Sequence, residues 1–244
     1  MADTKLINAN IDENAGIAWL ILNRPEKKNA LSIILLAELS SILRALAEND
    51  KIRCIVTTGG GDSYSSGRDL YDMRGQDNRR RTRGFGGVAE IVDIMRKLPQ
   101  VTVAKVRGWC LGGGLALING HDLVISAESA KFGMPEVIRG SYGATATPSL
   151  FHAGIPFKKA FYISLTGRNL TGIEAERVGG ERPGCAERGE SGVPELEPVD
   201  RRDEVDHDVV DTGRAEAEQV RALSAGQLVG APAAVERVIA DSAA

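Results

Sequence analysis

The sequence predicts an α/β domain over residues 1–179, followed by a divergent acidic tail over residues 180–244. Three observations carry that expectation. Short apolar runs bounded by Gly and Pro alternate with segments of helical period, the pattern of strands connected by helices. Hydrophobic residues make up 43% of the 244-residue chain, enough to bury one core of ordinary size. The composition then changes character near Val178.

Ile17 to Asn23 (IAWLILN) is a continuous apolar run, as expected of a strand buried on both faces, and Pro25 stops it. RPEKKNA is a polar loop. Leu31 to Glu48 carries Leu and Ile at helical spacing, with Ser32 placed to cap its first turn. Ile52 to Thr58 is a second strand, closed by Gly59, Gly60 and Gly61. Val88 to Leu98 is an amphipathic helix that Pro99 ends, and Val101 to Val106 is a third strand. A loop from Arg107 to Leu111 leads to three glycines. Leu115 to Ile118 is then apolar enough for a buried helix, and Leu123 to Ser126 for another strand. No internal repeat is present.

Beyond Val178 the pattern fades. No Phe, Trp or Tyr follows Tyr162 and no lysine follows Lys159. Gly179 to Asp211 is an aperiodic mixture of Gly, Pro, Glu, Asp and Arg, a composition of disordered or loosely structured chain. Ala215 to Ala240 has the makings of a weak helix or two, broken near Gly230 and Pro232. Charge divides in the same way. Residues 171–244 hold 8 basic and 17 acidic residues, whereas the first 170 hold 22 and 16. A mildly basic body suits an anionic small ligand. It falls short of the charge density of a nucleic-acid binder, so no nucleic-acid partner is expected.

Cys54, Cys110 and Cys185 are too few and too far apart for a disulfide framework or a zinc site, and read as reduced thiols. His121, His152 and His207 show no ligand spacing; they read as structural, and no metal is expected. The first residues lack an apolar stretch of signal-peptide length, and no run approaches the ~20 apolar residues of a membrane span. The expectation is a cytoplasmic protein without a membrane partner.

Two glycine-bearing loops are the candidates to carry the chemistry, with a packing or turn role as the alternative for the triple glycine. Ser65-Ser66-Gly67-Arg68-Asp69-Leu70 follows a strand, and Gly112-Gly113-Gly114 sits where a strand gives way to a short apolar helix. Glycine lets a ligand approach the backbone, and the N–H groups that open a helix lack intrahelical acceptors. Two such groups converging on one carbonyl oxygen would make an oxyanion hole. P-loop and dinucleotide patterns do not fit, because neither Gly-Lys-Ser/Thr nor G-x-G-x-x-G follows a strand. A third feature is Glu136 in Phe132-Gly133-Met134-Pro135-Glu136. A carboxylate in an apolar stretch has its ionised form disfavoured, which suits acid–base work. An exposed loop glutamate is the alternative.

The strings LNRPEKKNALS, SSGRDL, VRGWCLGGG and FGMPE, in this order and spacing, resemble the crotonase (enoyl-CoA hydratase/isomerase) superfamily, and LTGRNLTGIEAERVG extends the likeness to Gly179. The resemblance implies repeated ββα units in a spiral of two sheets, usually assembled as trimers, with a helical C-terminal region that this tail does not resemble. A homotrimer weakened by the tail is therefore expected. It also implies an acyl-CoA thioester substrate, with coenzyme A as part of that substrate and no permanently bound cofactor. Carried over by motif, the N–H groups of Arg68 and Gly113 hold the thioester enolate, with Glu136 as acid and base. Lys27, Lys28, Arg68, Asp69, Leu70, Tyr71, Gly112 and Gly113 are expected to flank the CoA moiety.

One position departs from the pattern. Two-glutamate hydratases carry their first glutamate two residues after the triple glycine, where this chain has Ala116; the second is present as Glu136. A single carboxylate is the arrangement of the superfamily's isomerases and of hydroxycinnamoyl-CoA hydratase-lyases, although the tyrosine of the latter falls on Met73 here. An isomerase or a hydratase/lyase is the expectation. Arg79, Arg80, Arg81 and Arg83 form a basic run that would meet CoA phosphates or simply be solvated. Two further readings stay open: a non-catalytic homologue that binds RNA or acts as a scaffold, and a chain inactivated by an aberrant, frame-shifted C-terminus.

Overall fold

A computed structural model describes residues 5–74, 87–178 and 220–224. The chain starts with β1 (Ile7–Asp12) antiparallel to β2 (Ile17–Leu22) and continues through α1 (Ile33–Ala47), β3 (Cys54–Gly59), α2 (Leu70–Arg74), α3 (Val88–Met95) and β4 (Val101–Val106). Next come β5 (Trp109–Leu111), α4 (Gly113–Ile118), β6 (Leu123–Ala127), β7 (Lys131–Gly133), α5 (Ala146–His152), α6 (Phe157–Thr166), β8 (Leu170–Thr171), α7 (Gly172–Val178) and β9 (Val220–Ser224).

These strands form a larger sheet in the order β1-β2-β3-β4-β6-β9 and a smaller one in the order β5-β7-β8. The four central strands of the larger sheet are parallel, and both edge strands run antiparallel. Period-two alternation sorts the side chains. Ala18, Leu20, Leu22, Ile55 and Ala104 join the main core with Leu35, Leu39 and Leu43 of α1 and Ile91 of α3. Ile17, Cys54, Val56, Val103 and Ile125 form a second cluster on the opposite face. Both faces of the central strands are covered, hence their mostly apolar sequences.

Most expected elements appear within a residue or two of their expected bounds. Ser32 caps α1 as expected, its hydroxyl accepting the Leu35 N–H at 3.2 Å. Two readings are corrected: Arg107 to Leu111, expected as a loop, contains the strand β5, and part of the tail is a strand. β1 went unread because only its first residue, Ile7, is buried, so INANID shows no alternation. Residues 220–224, read as part of a weak helix, form a strand that pairs antiparallel with β6. The pairing satisfies the outer backbone edge of β6, and such tertiary hydrogen bonding outweighs a marginal local helix preference. The rest of the tail, including Gly179 to Asp211 and Cys185, lies outside the described residues, as do Arg79, Arg80, Arg81 and Arg83. Among the described residues no helix is long and apolar enough to cross a membrane.

A fully satisfied polar chain crosses the main core. His121 Nδ1 faces the Leu117 carbonyl at 3.0 Å and therefore carries the ring proton. Its Nε2 accordingly accepts from the Thr57 hydroxyl at 2.8 Å, and Thr57 Oγ1 accepts from the Tyr64 hydroxyl at 2.8 Å. Burial depresses the His121 pKa from 6.5 to about 4, against the opposing pull of the Leu117 and Ile118 carbonyls and the Asp122 carboxylate. The folded state thus binds fewer protons than the unfolded chain between these values, and stability falls as the pH drops through that window. Urea unfolding from pH 7 to pH 4 should show this loss in the native protein. The same titration of His121→Gln, which cannot ionise, should have a visibly shallower slope.

Candidate active site

Three extended segments run side by side and end together. Ser65 donates its N–H to the Trp109 carbonyl at 3.0 Å and accepts the Leu111 N–H at 2.9 Å, so it lies parallel to β5. On its other edge β5 pairs in parallel with β7, placing Leu111 opposite Gly133. The C-terminal ends of these segments lead into Gly67-Arg68, Gly112-Gly113 and Glu136. The two loops and the carboxylate are thereby gathered at one place.

The loops touch closely, and at Gly67 a Cβ would stand 2.8 Å from the Leu111 carbonyl oxygen. Gly112 has φ 48, and a Cβ there would stand 2.5 Å from Glu136 Oε1. A Cβ on Gly113 would stand 3.2 Å from the Arg68 nitrogen and 3.1 Å from Arg68 Cγ. The Gly113 N–H belongs to the first turn of α4, outside the intrahelical ladder. The structure thus brings the Arg68 and Gly113 nitrogens close together.

Glu136 is half-buried, and its Oε2 is buried without a hydrogen-bond partner among the described residues. Burial raises its pKa, only partly offset by its own backbone N–H and by Arg139. Such a carboxyl exchanges protons nearer neutrality than an exposed one. Ala116, 1% exposed, is packed into the core of α4 and brings no second carboxylate.

The first loop is braced from beneath. Leu31 donates its N–H to the Gly67 carbonyl at 2.8 Å and accepts the Asp69 N–H at 3.2 Å. Asp69 turns its carboxylate inward onto Arg24 Nη1 at 2.9 Å and accepts the Tyr71 N–H at 2.9 Å. Burial raises the Asp69 pKa, but Arg24, the Tyr71 N–H and the charge of Lys27 outweigh it and hold the carboxyl below the usual range. Lys28 is exposed, as are Leu70 and Tyr71, and the Lys27 ammonium sits 5.6 Å from the centre of the Tyr71 ring. These four form a partly apolar, cationic rim next to the first loop. An apolar cavity of about 90 Å³ lies elsewhere, lined by Ile118, Leu150, Ile155 and Ile163, and touches none of Arg68, Gly113 or Glu136.

Sequence reasoning missed Asn29. This fully buried residue donates from Nδ2 to the Gly60 and Ser63 carbonyls at 2.8 and 2.7 Å. It accepts the Arg24 N–H at 2.9 Å, while its carbonyl accepts from the Ser65 hydroxyl at 2.9 Å. Its φ of 52 is one that asparagine tolerates better than most residues, and an asparagine in the polar loop RPEKKNA is the one signal the sequence offers. Cys54 and Cys110 are buried thiols whose pKa burial pushes up, for Cys54 to about 12. Among the described residues no group of three or more His, Cys, Asp or Glu side chains is placed to hold a metal ion.

Two sheets of short strands joined by helices, with two apposed glycine loops and a half-buried glutamate, define the class of protein to which this chain belongs. Residues 12–180 match the enoyl-CoA hydratase/isomerase family, and the chain belongs to that family, within the crotonase superfamily. It is similar to the hydroxycinnamoyl-CoA hydratase-lyase of Pseudomonas fluorescens, 29% identical over 72% of this chain and 64% of the relative. The mevalonyl-coenzyme A hydratase of Aspergillus fumigatus is 30% identical over 67% of this chain and 60% of its own length. The crystal structure of an enoyl-CoA hydratase from Mycobacterium smegmatis superposes with a TM-score of 0.66 at 27% identity, covering 72% of this chain and 68% of that one. The chain spans less than two thirds of the length of these curated relatives.

The contact between Gly112 and Glu136 has a measurable consequence. Gly112→Ala should push the carboxylate toward solvent and lower the Glu136 pKa toward the ordinary value of 4.5. Gly140→Ala also has positive φ, at 66, but meets nothing within 4 Å and should leave that pKa unchanged. Carbon-13 NMR titration of labelled glutamate reads both.

Proposed function

We propose that this protein acts on acyl-CoA thioesters by moving a proton within the acyl chain, with Glu136 as the sole acid–base group. The observation that carries this reading is the buried, unpartnered Glu136 Oε2 beside the apposed glycine loops. Family membership and the CoA-linked activities of its relatives support a CoA thioester as substrate class.

In this reading the thioester carbonyl oxygen accepts hydrogen bonds from the Arg68 and Gly113 N–H groups. Glu136 takes a proton from the carbon beside the carbonyl, and the electron pair left behind delocalises onto the held oxygen as an enolate. The enolate collapses as the carboxylic acid returns the proton to another carbon of the conjugated system, which shifts the double bond. A lost hole donor typically raises such a barrier by about 3–4 kcal/mol. Lys27 and Lys28 meet the CoA phosphates, Leu70 and Tyr71 offer apolar contact, and Asp69 acts through the loop it braces.

Water addition needs a group to orient or deprotonate the water. Ala116, buried in the α4 core, offers none. A second reading, hydration with carbon–carbon cleavage, is favoured by the similarity to the hydroxycinnamoyl-CoA hydratase-lyase.

The test is incubation with a panel of enoyl-CoA thioesters in deuterated water, followed by mass spectrometry. Deuterium incorporation and double-bond migration without net hydration are expected, and rapid hydration or cleavage supports the second reading. Glu136→Gln should slow exchange at least a hundredfold, since general acid–base catalysis contributes about 10²–10⁴. Calorimetric affinity for a saturated acyl-CoA should stay nearly unchanged, because the role is exercised in the transition state. Ala116→Glu should, if anything, speed hydration. Because the base must be ionised and burial raises its pKa, the rate of exchange should fall on acidification at a pH above that of an ordinary glutamate.

A further inference from the structure

We infer that the buried chain Tyr64–Thr57–His121 is a positioning device that sets the two glycine loops against each other. It deepens the function proposed above and rests on that reading for its catalytic meaning.

Each end of the chain is attached to one loop. Tyr64, fully buried, immediately precedes Ser65, the residue that pairs with β5 and opens the SSGRDL segment. His121 follows the end of α4 and holds the Leu117 carbonyl of that helix at 3.0 Å, and the first residue of α4 is Gly113. Thr57 of β3 joins them through its single hydroxyl, at 2.8 Å to Tyr64 Oη and 2.8 Å to His121 Nε2. The larger sheet thus fixes both loops through one rigid strand.

The direction of every bond is determined. The Leu117 carbonyl can only accept, so Nδ1 donates; Nε2 is then an acceptor, Thr57 donates to it, and Tyr64 donates to Thr57. All three side chains are at most 4% exposed, in a core built mostly from apolar residues. Core packing alone needs none of these polar atoms, and three of them in sequence restrict the distance and orientation between the elements they join. An oxyanion hole is sensitive to such restriction, since displacements near 1 Å cost about a hundredfold in rate.

The decisive variant is Thr57→Val, which keeps the shape but leaves the Tyr64 hydroxyl and His121 Nε2 unpaired. Tyr64→Phe is the milder second variant, retaining the Thr57–His121 bond, and Thr57→Ser restores the hydroxyl. Two readouts are used: amide hydrogen exchange of residues 65–69 and 112–116, and the infrared carbonyl stretch of bound butyryl-CoA labelled with carbon-13 at the thioester. In Thr57→Val both loops should exchange about tenfold faster or more, while the sheet strands β2 and β4 do not. The binding-induced downshift of the carbonyl stretch should shrink, and Thr57→Ser should recover both signals. Tyr64→Phe should show the same effects, smaller.

Exchange that rises uniformly over the domain, or in one loop only, with the carbonyl downshift of the folded variant intact, would assign the chain a packing role and overturn the inference. Native protein that binds butyryl-CoA without any downshift would instead overturn the hole formed by Arg68 and Gly113. The loop exchange would still decide whether Thr57 couples the loops.

Discussion

Everything at the site depends on the parallel alignment of three short extended segments. Ser65, β5 and β7 lie side by side, and parallel strands bring their C-terminal ends to the same edge. Gly67, Gly112 and Glu136 are there because each follows one of those ends within a few residues. β5 and β7 have only three residues each, too short to be stable alone. They are held by their attachments: Asn29 beneath the first loop, α4 after the second, and the Gly112 N–H on the Gly133 carbonyl at 2.9 Å.

That alignment forces the backbone of the two loops into contact, and the contact accounts for the glycines. A Cβ on Gly67 would stand 2.8 Å from the Leu111 carbonyl oxygen and 3.2 Å from the Gly113 nitrogen. Each loop therefore excludes side chains from the other. The requirement for glycine is a property of the pair, and so the triple glycine taken alone said little about its purpose.

The elements most legible in the sequence were those buried on both faces or along one stripe. β2 is an unbroken apolar run, β3, β4 and β6 are mostly apolar, and α1 buries Leu35, Leu39 and Leu43 at helical spacing behind a serine cap. β1 escaped notice because five of its six residues face solvent, and β5 and β7 because three residues show no periodicity. Arg68, Gly113 and Glu136 were reached through the motifs and their family likeness, while the substitution at Ala116 could be read directly. Asn29 and the Tyr64–Thr57–His121 chain were not. Their meaning lies in contacts between residues 34 and 64 positions apart, which no local pattern encodes.

Two buried polar arrangements in this domain obey one rule with opposite outcomes. In the chain through Thr57 every polar atom has its partner, and a satisfied network in a medium of low polarity stiffens what it joins. At Glu136 one carboxylate oxygen is buried and finds no hydrogen-bond partner among the described residues. That arrangement opposes folding, because a buried unmatched group carries the full cost of its desolvation. The same deficit raises the pKa of the carboxyl and leaves its oxygen able to accept a proton from whatever occupies the space beside Gly112. A hydrogen-bonded Glu136 would make a more stable domain and a weaker base. The rigid chain behind the glycine loops and the deprived carboxylate in front of them are complementary, since a reactive group gains from its reactivity only when the atoms opposite it are held in place.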